Sequence, residues 1–385
     1  MRKTKKKNNL FSIIIAIIIL IFTSITLLSI PVLYDYKSKE IEIEKQFYSE
    51  FKINLKIIDN VSYNYFPKPH LLIKKAKLSF NISDEKLSVS DTENLKIFIP
   101  LNKIYNKSNF SMSGLEINNT NFKFKFSDIK KFRDHLFFKI NKPIKIKKSK
   151  FFYIDKYNET ILISPIHNFN YSIQEKNRHK NLTIKGNIFD VDYESIWKRY
   201  YDSPKITHHE ITFKNPNIFI NNLFSFQGKS NYSGKSAVSF LKEKINIEYN
   251  VNKDEILIKS TEEIKNQKIK ILSNVELNPF YFDSIIELSN KDSKFLIDNF
   301  LNYLINLNEE ILGNINGKIF VKLKNLDNEI IDSGIMNIVI NEKSLKIENT
   351  RLEINKIGFI KSNFDFYEKQ GELIFKSKNV LEITN

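Results

Sequence analysis

Asn121-Phe122-Lys123-Phe124-Lys125-Phe126 is the segment that says most about the fold of this chain. Successive side chains of a β-strand point to opposite faces, so the phenylalanines would share one face and the lysines the other. A similar alternation of apolar and polar residues recurs at 144–147, 319–324 and 345–348. It is typical of an antiparallel sheet that packs one side and exposes the other to water. The sequence therefore predicts a mainly β protein.

Residues 10–33 form the one long uncharged run of the chain. A helix rises about 1.5 Å per residue, so a run of this length crosses a hydrocarbon core of roughly 30 Å. It is preceded by five cations: Arg2, Lys3, Lys5, Lys6 and Lys7. Cations before the run and aromatic residues after it, at Tyr34 and Tyr36, indicate a cytoplasmic N-terminus. We predict a basic tip at 1–9, a membrane-spanning helix at 10–33 and an exported domain at 34–385.

The alternative for this run is a cleaved signal peptide. The apolar region of a signal peptide would be about 7 to 15 residues long and would end near a small-residue cleavage site. The run at 10–33 is longer, and no A-x-A-like site follows it. A retained anchor is therefore the preferred interpretation.

Composition excludes several kinds of chemistry. The chain has no cysteine, which removes disulfides, thiolate nucleophiles and cysteine-ligated zinc. Its net charge of +16 is compatible with anionic lipid head groups or with nucleic acid. The lysines are spread along the strands rather than clustered, and Lys, Asn and Ile are abundant throughout, as in AT-rich coding sequences. We therefore interpret the excess charge as solvated strand faces.

The segment after the anchor is predicted to begin with a helix and to continue as strands. Ile43, Phe47 and Phe51 follow the spacing i, i+4, i+8, which predicts a short amphipathic helix at 37–51. The period then changes to two. Strands are expected at 53–57, 71–78 and 95–99.

A long helix is predicted late in the chain, at 293–312, with Gly313 as its C-cap. We expect it to plug or cover the apolar face of the sheet. No long Pro-, Gly- or Ser-rich linker marks a domain boundary. The segment 200–216 is the most plausible joint, although a single continuous sheet is favoured over two independent domains.

No catalytic or metal-binding motif stands out. The phosphate-binding glycine patterns, the GxSxG nucleophile turn and the HExxH zinc helix are all missing. The nearest approach to a metal cluster is His208-His209-Glu210, but neighbours on a strand point to opposite faces, so we expect surface residues there. We predict no enzyme activity, no catalytic residue, no metal and no cofactor. An anchored hydrolase is the remaining enzyme alternative, and it would need a polar pocket with converging carboxylates.

Nucleic acid is also not an expected partner. Interleaved Lys and Phe at 122–126 is similar to the basic, aromatic faces that bind single strands. Here the two residue types fall on opposite faces of one strand. A membrane anchor would also hold an exported sheet away from nucleic acid.

The order of parts at the N-terminus resembles the start of AsmA-family proteins. An anchor, a short amphipathic helix and a strand lead into a turn that contains Phe66, Pro67 and Pro69. A strand follows and contains Ala76-Lys77-Leu78, where that family often has a V-x-L type of pattern. Proline cannot donate to a strand ladder, so the two prolines end one strand and turn the chain into the next. Alternating strands after Asn316-Gly317 are also similar to the C-terminal part of the family.

This resemblance implies a bacterial inner-membrane protein whose periplasmic sheet is an elongated, curved and open trough. It implies a structure akin to chorein-type lipid-transfer proteins and a role in phospholipid movement or outer-membrane assembly. Acyl chains would then contact the apolar side chains of the strands. The candidate contacts are Phe122, Phe124, Phe126, Ile144, Ile146, Ile319, Val321 and Leu323.

Two alternatives remain open at this stage. The same side chains could fill the core of a closed sandwich or barrel, and for any one of them core and lipid contact are equally good interpretations. The protein could also act as a scaffold or chaperone for outer-membrane protein assembly through its sheet edges, with no lipid transfer.

Overall fold

The computed structural model is mainly β, with 66% of the chain in strands and 18% in helices. It describes the chain except for residues 1–4, 83–84, 107–109, 155–158, 189–190, 204–205, 215–216, 227–231, 241–242, 253–254, 262–268, 278, 290–315, 327–330, 342–343, 355–356, 370–371 and 385. The described part contains 22 strands, and antiparallel pairing dominates among them. The predicted fold class is therefore confirmed.

Three helices lie in the N-terminal part of the described chain. They are α1 (Lys5–Ser29), α2 (Glu40–Phe51) and α3 (Phe126–Lys139), with short 3-10 turns at Ile30–Leu33, Lys37–Lys39 and Leu101–Lys103. The amphipathic helix predicted at 37–51 corresponds to the second 3-10 turn followed by α2. The sequence interpretation did not include α3.

The strands are numbered in chain order. They are β1 (Asn54–Ile57), β2 (Val61–Asn64), β3 (His70–Ile82), β4 (Glu85–Phe98), β5 (Gly114–Asn118), β6 (Asn121–Lys125), β7 (Ile144–Ile154), β8 (Thr160–Gln174), β9 (His179–Ile188), β10 (Val191–Tyr200), β11 (Ile206–Phe213), β12 (Ile218–Phe226), β13 (Tyr232–Phe240), β14 (Glu243–Val251), β15 (Glu255–Ser260), β16 (Ile269–Leu277), β17 (Phe280–Ser289), β18 (Gly317–Lys324), β19 (Ile331–Asn341), β20 (Ser344–Ile354), β21 (Gly358–Lys369) and β22 (Glu372–Ile383).

Internal contacts divide the chain into two compact units. Unit 1 contains residues 1–123, 129–151 and 166–173, and unit 2 contains residues 124–128, 152–165 and 174–385. The segment 200–216, suggested as a joint, lies inside unit 2, where β10 and β11 pair directly. The divisions fall instead around α3 and within β7 and β8.

The long strand β3 is the centre of the unit 1 sheet. Its first residues pair with β2 and its later residues with β1, so those two short strands form one interrupted edge. On its other side β3 pairs with β4, and β4 pairs with β5. β5 then pairs in parallel with β7. A parallel pair needs a crossover connection, and the chain between β5 and β7 contains β6 and α3.

Both short helices bury apolar side chains in unit 1. Ile43, Phe47 and Phe51 on α2 are completely buried, which confirms the stripe predicted from their spacing. On α3, Phe132 and Leu136 are buried, and Phe132 meets the ring of Phe80 edge-on at 5.1 Å between centroids. Unit 1 is therefore a sheet with a packed core, as the closed-core alternative expects of its apolar residues.

Unit 2 is a meander. From β9 to β22 each strand pairs with the next one, antiparallel at every step except one. The exception is the parallel pair β17 and β18, and residues 290–316 between them are long enough for the crossover that such a pair needs. The helix predicted at 293–312 lies outside the described residues.

Candidate functional site

The register of the unit 2 ladders defines one face of the sheet that we call the apolar face. Residues directly opposite each other on paired strands share a face. Trp197 on β10 lies opposite Leu182 on β9 and His209 on β11, and His209 lies opposite Asn222 on β12. Carrying this register onward through each pair places alternate residues of every strand from β9 to β22 on the same face.

The opposite face of unit 2 carries ion pairs between neighbouring strands. Lys185 and Glu194 approach to 3.1 Å, and Lys235 and Glu248 to 3.0 Å. These side chains are partly or largely exposed, so each pair contributes little to stability. Their position confirms the expectation of one apolar and one solvated face in these strands.

A buried cluster occupies the apolar face between β14 and β20. Its fully buried members are Ile245, Ile269, Leu288, Val321, Leu323, Leu326, Met336, Ile338, Ile340, Leu345 and Ile347. Two of the predicted lipid contacts, Val321 and Leu323, belong to it, and the third, Ile319, packs against it partly buried. The predicted residues of β18 therefore lie on the apolar face, within its buried part.

A second part of the apolar face is rich in aromatic rings, and we call it the Trp197 section. Its rings are Tyr193, Trp197, Phe213, Phe224, Tyr232 and Tyr249, from strands β10 to β14. Trp197 meets Phe224 edge-on at 5.8 Å, and Phe224 lies 5.9 Å from Tyr232. Several side chains here are only partly buried, among them Trp197, Ile211 and Ile220. The main contacts of β10–β13 with described elements are those with their ladder neighbours.

Ser195, Trp197 and His209 pair their polar atoms with one another in the Trp197 section. Ser195 Oγ lies 2.9 Å from Nε2 of His209 and accepts a hydrogen bond from the indole nitrogen of Trp197 at 2.8 Å. The imidazole of His209 stacks on the indole with 3.6 Å between centroids. Such pairing removes the penalty of burying polar groups beside apolar surface.

His209 corrects an expectation from the sequence. His208 and His209 were both expected at the surface, but only His208 is exposed, whereas His209 is buried against Trp197. The two histidines point to opposite faces of β11, as adjacent strand residues must. Among the described residues, no group of three or more His, Cys, Asp or Glu side chains is placed to hold a metal ion.

A second polar network lies on the same face, on the next three strands, β12 to β14. The hydroxyls of Tyr249 and Ser236 both donate to the amide oxygen of Asn222, at 2.7 and 3.0 Å. Gly234 makes this arrangement possible, because a Cβ at that position would meet the Tyr249 hydroxyl and lie 2.9 Å from Cβ of Phe224. The ring of Tyr249 occupies the space that a side chain at position 234 would need.

Two cations lie on the apolar face of β9 and β10. Lys180 and Arg199 are cross-strand neighbours, and both are buried. Burial lowers the pKa of Lys180, and the charge of Arg199 lowers it further. This position therefore brings two cationic side chains together on the apolar face.

An open depression of about 470 Å³ lies beside Gly234. Leu223, Ser233 and Lys235 are among the residues that line it. Among the described lining residues the one carboxylate is Glu248, which is paired with Lys235. The described residues of this depression therefore do not supply the converging carboxylates that an anchored hydrolase requires.

The candidate lipid contacts in the N-terminal half of the chain are buried among closely packed side chains. Phe122, Ile144 and Ile146 are buried and line an interior void of only about 10 Å³ in unit 1. An acyl chain does not fit in such a space. Phe124 is buried as well. The strand expected at 121–126 ends at Lys125, and Phe126 begins α3 instead.

The proline motif forms the expected turn between two strands. Phe66, Pro67 and Pro69 connect β2 to β3, and the peptide bond between Phe66 and Pro67 is cis. The ring of Phe66 is 80% exposed. Ala76-Lys77-Leu78 pairs with β1 in the middle of β3.

The N-terminal apolar segment, Phe11–Leu33, is long and apolar enough to cross a membrane, and its side chains are exposed along α1. No protein-family model matches the chain, and no curated protein matches its sequence. The resemblance to the AsmA family therefore rests on the order of parts and on the proline turn.

Proposed function

We propose that this protein is anchored in the inner membrane by α1 and holds or conducts phospholipid on the apolar face of unit 2. The observation that carries the proposal is the Trp197 section. It presents partly buried aromatic and aliphatic side chains, and within it Ser195, Trp197 and His209 pair their polar atoms with one another. Acyl chains need apolar contact and no hydrogen bonds, so such a surface suits them.

Charge and location support the same proposal. Lys180 and Arg199 lie on the apolar face of the strands next to the Trp197 section, and a positive charge there suits the phosphate of a lipid head group. An anchor with a basic tip favours a cytoplasmic N-terminus and an exported sheet. We propose that the chain is an AsmA-like protein whose sheet lies in the periplasm. We also propose that the phospholipid it holds or conducts is used in outer-membrane assembly.

Trp197 provides a direct test, because it is the only tryptophan of the chain. The full chain would be reconstituted into vesicles whose phospholipids carry bromine on the acyl chains, which quench tryptophan at short range. If acyl chains occupy the apolar face, we expect Trp197 fluorescence to fall at least twofold relative to vesicles without bromine. Unchanged fluorescence would count against the proposal.

A matched variant controls for simple proximity to the membrane. Trp197→Phe combined with Lys198→Trp moves the indole by one residue, to the solvated face of β10. We expect quenching of this tryptophan to be several times weaker. Equal quenching on both faces would mean that unit 2 only lies near the bilayer, and the proposal would fail.

A second candidate is a scaffold for outer-membrane protein assembly, and strand β22 favours it. Among the described strands, β22 pairs only with β21. Its apolar side chains are exposed, with Phe375 at 54% and Ile383 at 70%. An exposed strand edge of this kind can pair with a strand of another protein.

Photo-crosslinking from β22 separates the two candidates. A photoreactive residue at Asn379 would capture β-barrel proteins if the edge acts as a scaffold. Leu381→Pro would abolish the capture by blocking strand addition, because the backbone N–H of Leu381 points away from β21. Capture of barrels combined with unquenched Trp197 would favour the scaffold over the lipid proposal.

A further inference from the structure

We propose that unit 1 makes a second contact with the bilayer, in which the turn at residues 101–105 enters the phospholipid interface beside α1. The inference rests on the proposed role of α1 as a membrane anchor. It concerns how unit 1 meets the membrane and does not depend on lipid binding by unit 2.

A hydrogen bond fixes the depth of this turn. The hydroxyl of Tyr105 donates to the carbonyl oxygen of Leu27 at 2.8 Å. A hydrocarbon core of about 30 Å takes about 20 helical residues, which counted from Phe11 ends near Ile30. Leu27 lies in the last turn of α1, which ends at Ser29, so Tyr105 lies close to the level where a core of this thickness meets the head groups.

The side chains of the turn suit this level. Leu101 is 64% exposed and Tyr105 is 47% exposed, although both are largely apolar. Lys103 is exposed in the same turn. Tyrosine favours the interface of a membrane, and lysine can reach lipid phosphates from there. A fully aqueous setting would leave Leu101 in water without a packing partner.

The turn cannot shift far from α1, because unit 1 packs against the end of the helix. Pro31 and Tyr36, which follow α1, are both buried. Tyr36 stacks on Tyr63 of β2 with 6.2 Å between centroids. Within the turn itself, the side chain of Ile104 is buried. Anchor, turn and sheet edge therefore form one packed group, and the depth of α1 sets the depth of the turn.

The chain contains no cysteine, so single labels can be placed without background. The full chain would carry Leu101→Cys with an environment-sensitive fluorophore, reconstituted in phospholipid vesicles with brominated acyl chains. Lys77→Cys is the matched control. The turn follows the end of β4, where Phe98 pairs with His70 of β3, and Lys77 is exposed on β3 seven residues, or about 23 Å, further along that strand. Ile18→Cys, in the middle of α1, reports the anchor itself.

We expect the label at 101 to be quenched by bromine at least threefold more than the label at 77, and to resist iodide added to the water. Equal quenching at 101 and 77, with strong quenching at 18, would overturn the inference and leave the anchor intact. Weak quenching at all three positions would overturn the anchor and this inference together. Lipid binding by unit 2 is measured separately through Trp197.

Discussion

Gly234 is the residue on which the packing of the Trp197 section depends most directly. A side chain at this position would push Tyr249 and Phe224 away from the sheet. We expect Gly234→Val to lower the free energy of unfolding by about 1 to 3 kcal/mol, because overpacking forces neighbours off their rotamers. Denaturant unfolding followed by Trp197 fluorescence measures this, since Phe224 contacts the indole.

The control is Ala237→Val, on the same strand but on its solvated face. Valine suits a strand, and Ala237 lies on the opposite side from Tyr249, so we expect a change within about 0.5 kcal/mol. If both variants unfold alike, the close approach of Tyr249 to Gly234 does not hold the section together.

Glu116 connects three strands of unit 1 and should make its stability depend on pH. Burial raises the pKa of Glu116, but hydrogen bonds from Lys147, Lys96 and Asn118 outweigh burial and bring the pKa down to about 2. A lowered pKa means that the carboxylate stabilises the fold above pH 4.5, the ordinary value, and that this contribution is lost as the pH falls from there towards 2.

We therefore expect the wild-type chain to lose on the order of 2 kcal/mol more than Glu116→Gln between pH 6 and pH 3. Urea unfolding at the two pH values checks this. The comparison cancels the contributions of other carboxylates, because they are the same in both proteins. If the free energy of unfolding falls by the same amount in both proteins between pH 6 and pH 3, the carboxylate of Glu116 does not stabilise unit 1.

At the scale of elements, the sequence predicted the strand β6 but not the helix α3 that follows it. The alternation at 121–125 is correct, and the strand is there. The helix that follows was missed, although Ile129, Phe132 and Leu136 are spaced as on one helical face. β6 ends at Lys125 and α3 begins at Phe126, so no turn residue between them marks the change of period.

α3 should be essential for unit 1. Leu136 is buried in the core, and we expect Leu136→Ala to lower the free energy of unfolding by about 3 kcal/mol, since it leaves a cavity. Phe138→Ala on the same helix is the control, because Phe138 is largely exposed, and its cost should stay below about 1 kcal/mol. Thermal unfolding of both variants decides this, and equal losses would contradict the assigned orientation of α3.

The two parallel pairings are also a finding at this scale. A regular alternation indicates a strand but does not say which strand it pairs with. The sequence predicted an antiparallel sheet. β5 with β7 and β17 with β18 depart from this. In both places a longer stretch of chain separates the partners, and its length is the sequence feature that allows a crossover.

At the scale of the whole molecule, the apolar N-terminal segment should stay attached to the mature protein. If it is an anchor, the protein purified from membranes will have the full mass of 45.5 kDa and will remain in the membrane pellet after alkaline extraction. A signal peptide would be removed, so a mass lower by the weight of about 30 residues, with release into the soluble fraction, would exclude the anchor.

The division of the chain into units could not have been read from composition. The sequence suggested a joint at 200–216 because of its prolines and histidines. β11 lies inside that segment and pairs with β10. The divisions within β7 and β8 fall inside strands, where no Gly or Pro cluster marks them. Compactness depends on contacts between distant residues, and these are not local properties of the chain.

Local sequence was sufficient for the strands, the buried stripe of α2 and the separation of Phe from Lys on β6. These follow from backbone periodicity, which needs no knowledge of partners. The roles of Phe122 and Ile144, which pack in the core of unit 1, and of His209, which stacks on Trp197, depended on which strands meet. The same holds for Tyr105, whose bond to Leu27 joins residues 78 positions apart. An apolar residue faces a core or an open surface according to what the rest of the chain places opposite it, and that is settled only when the strands assemble.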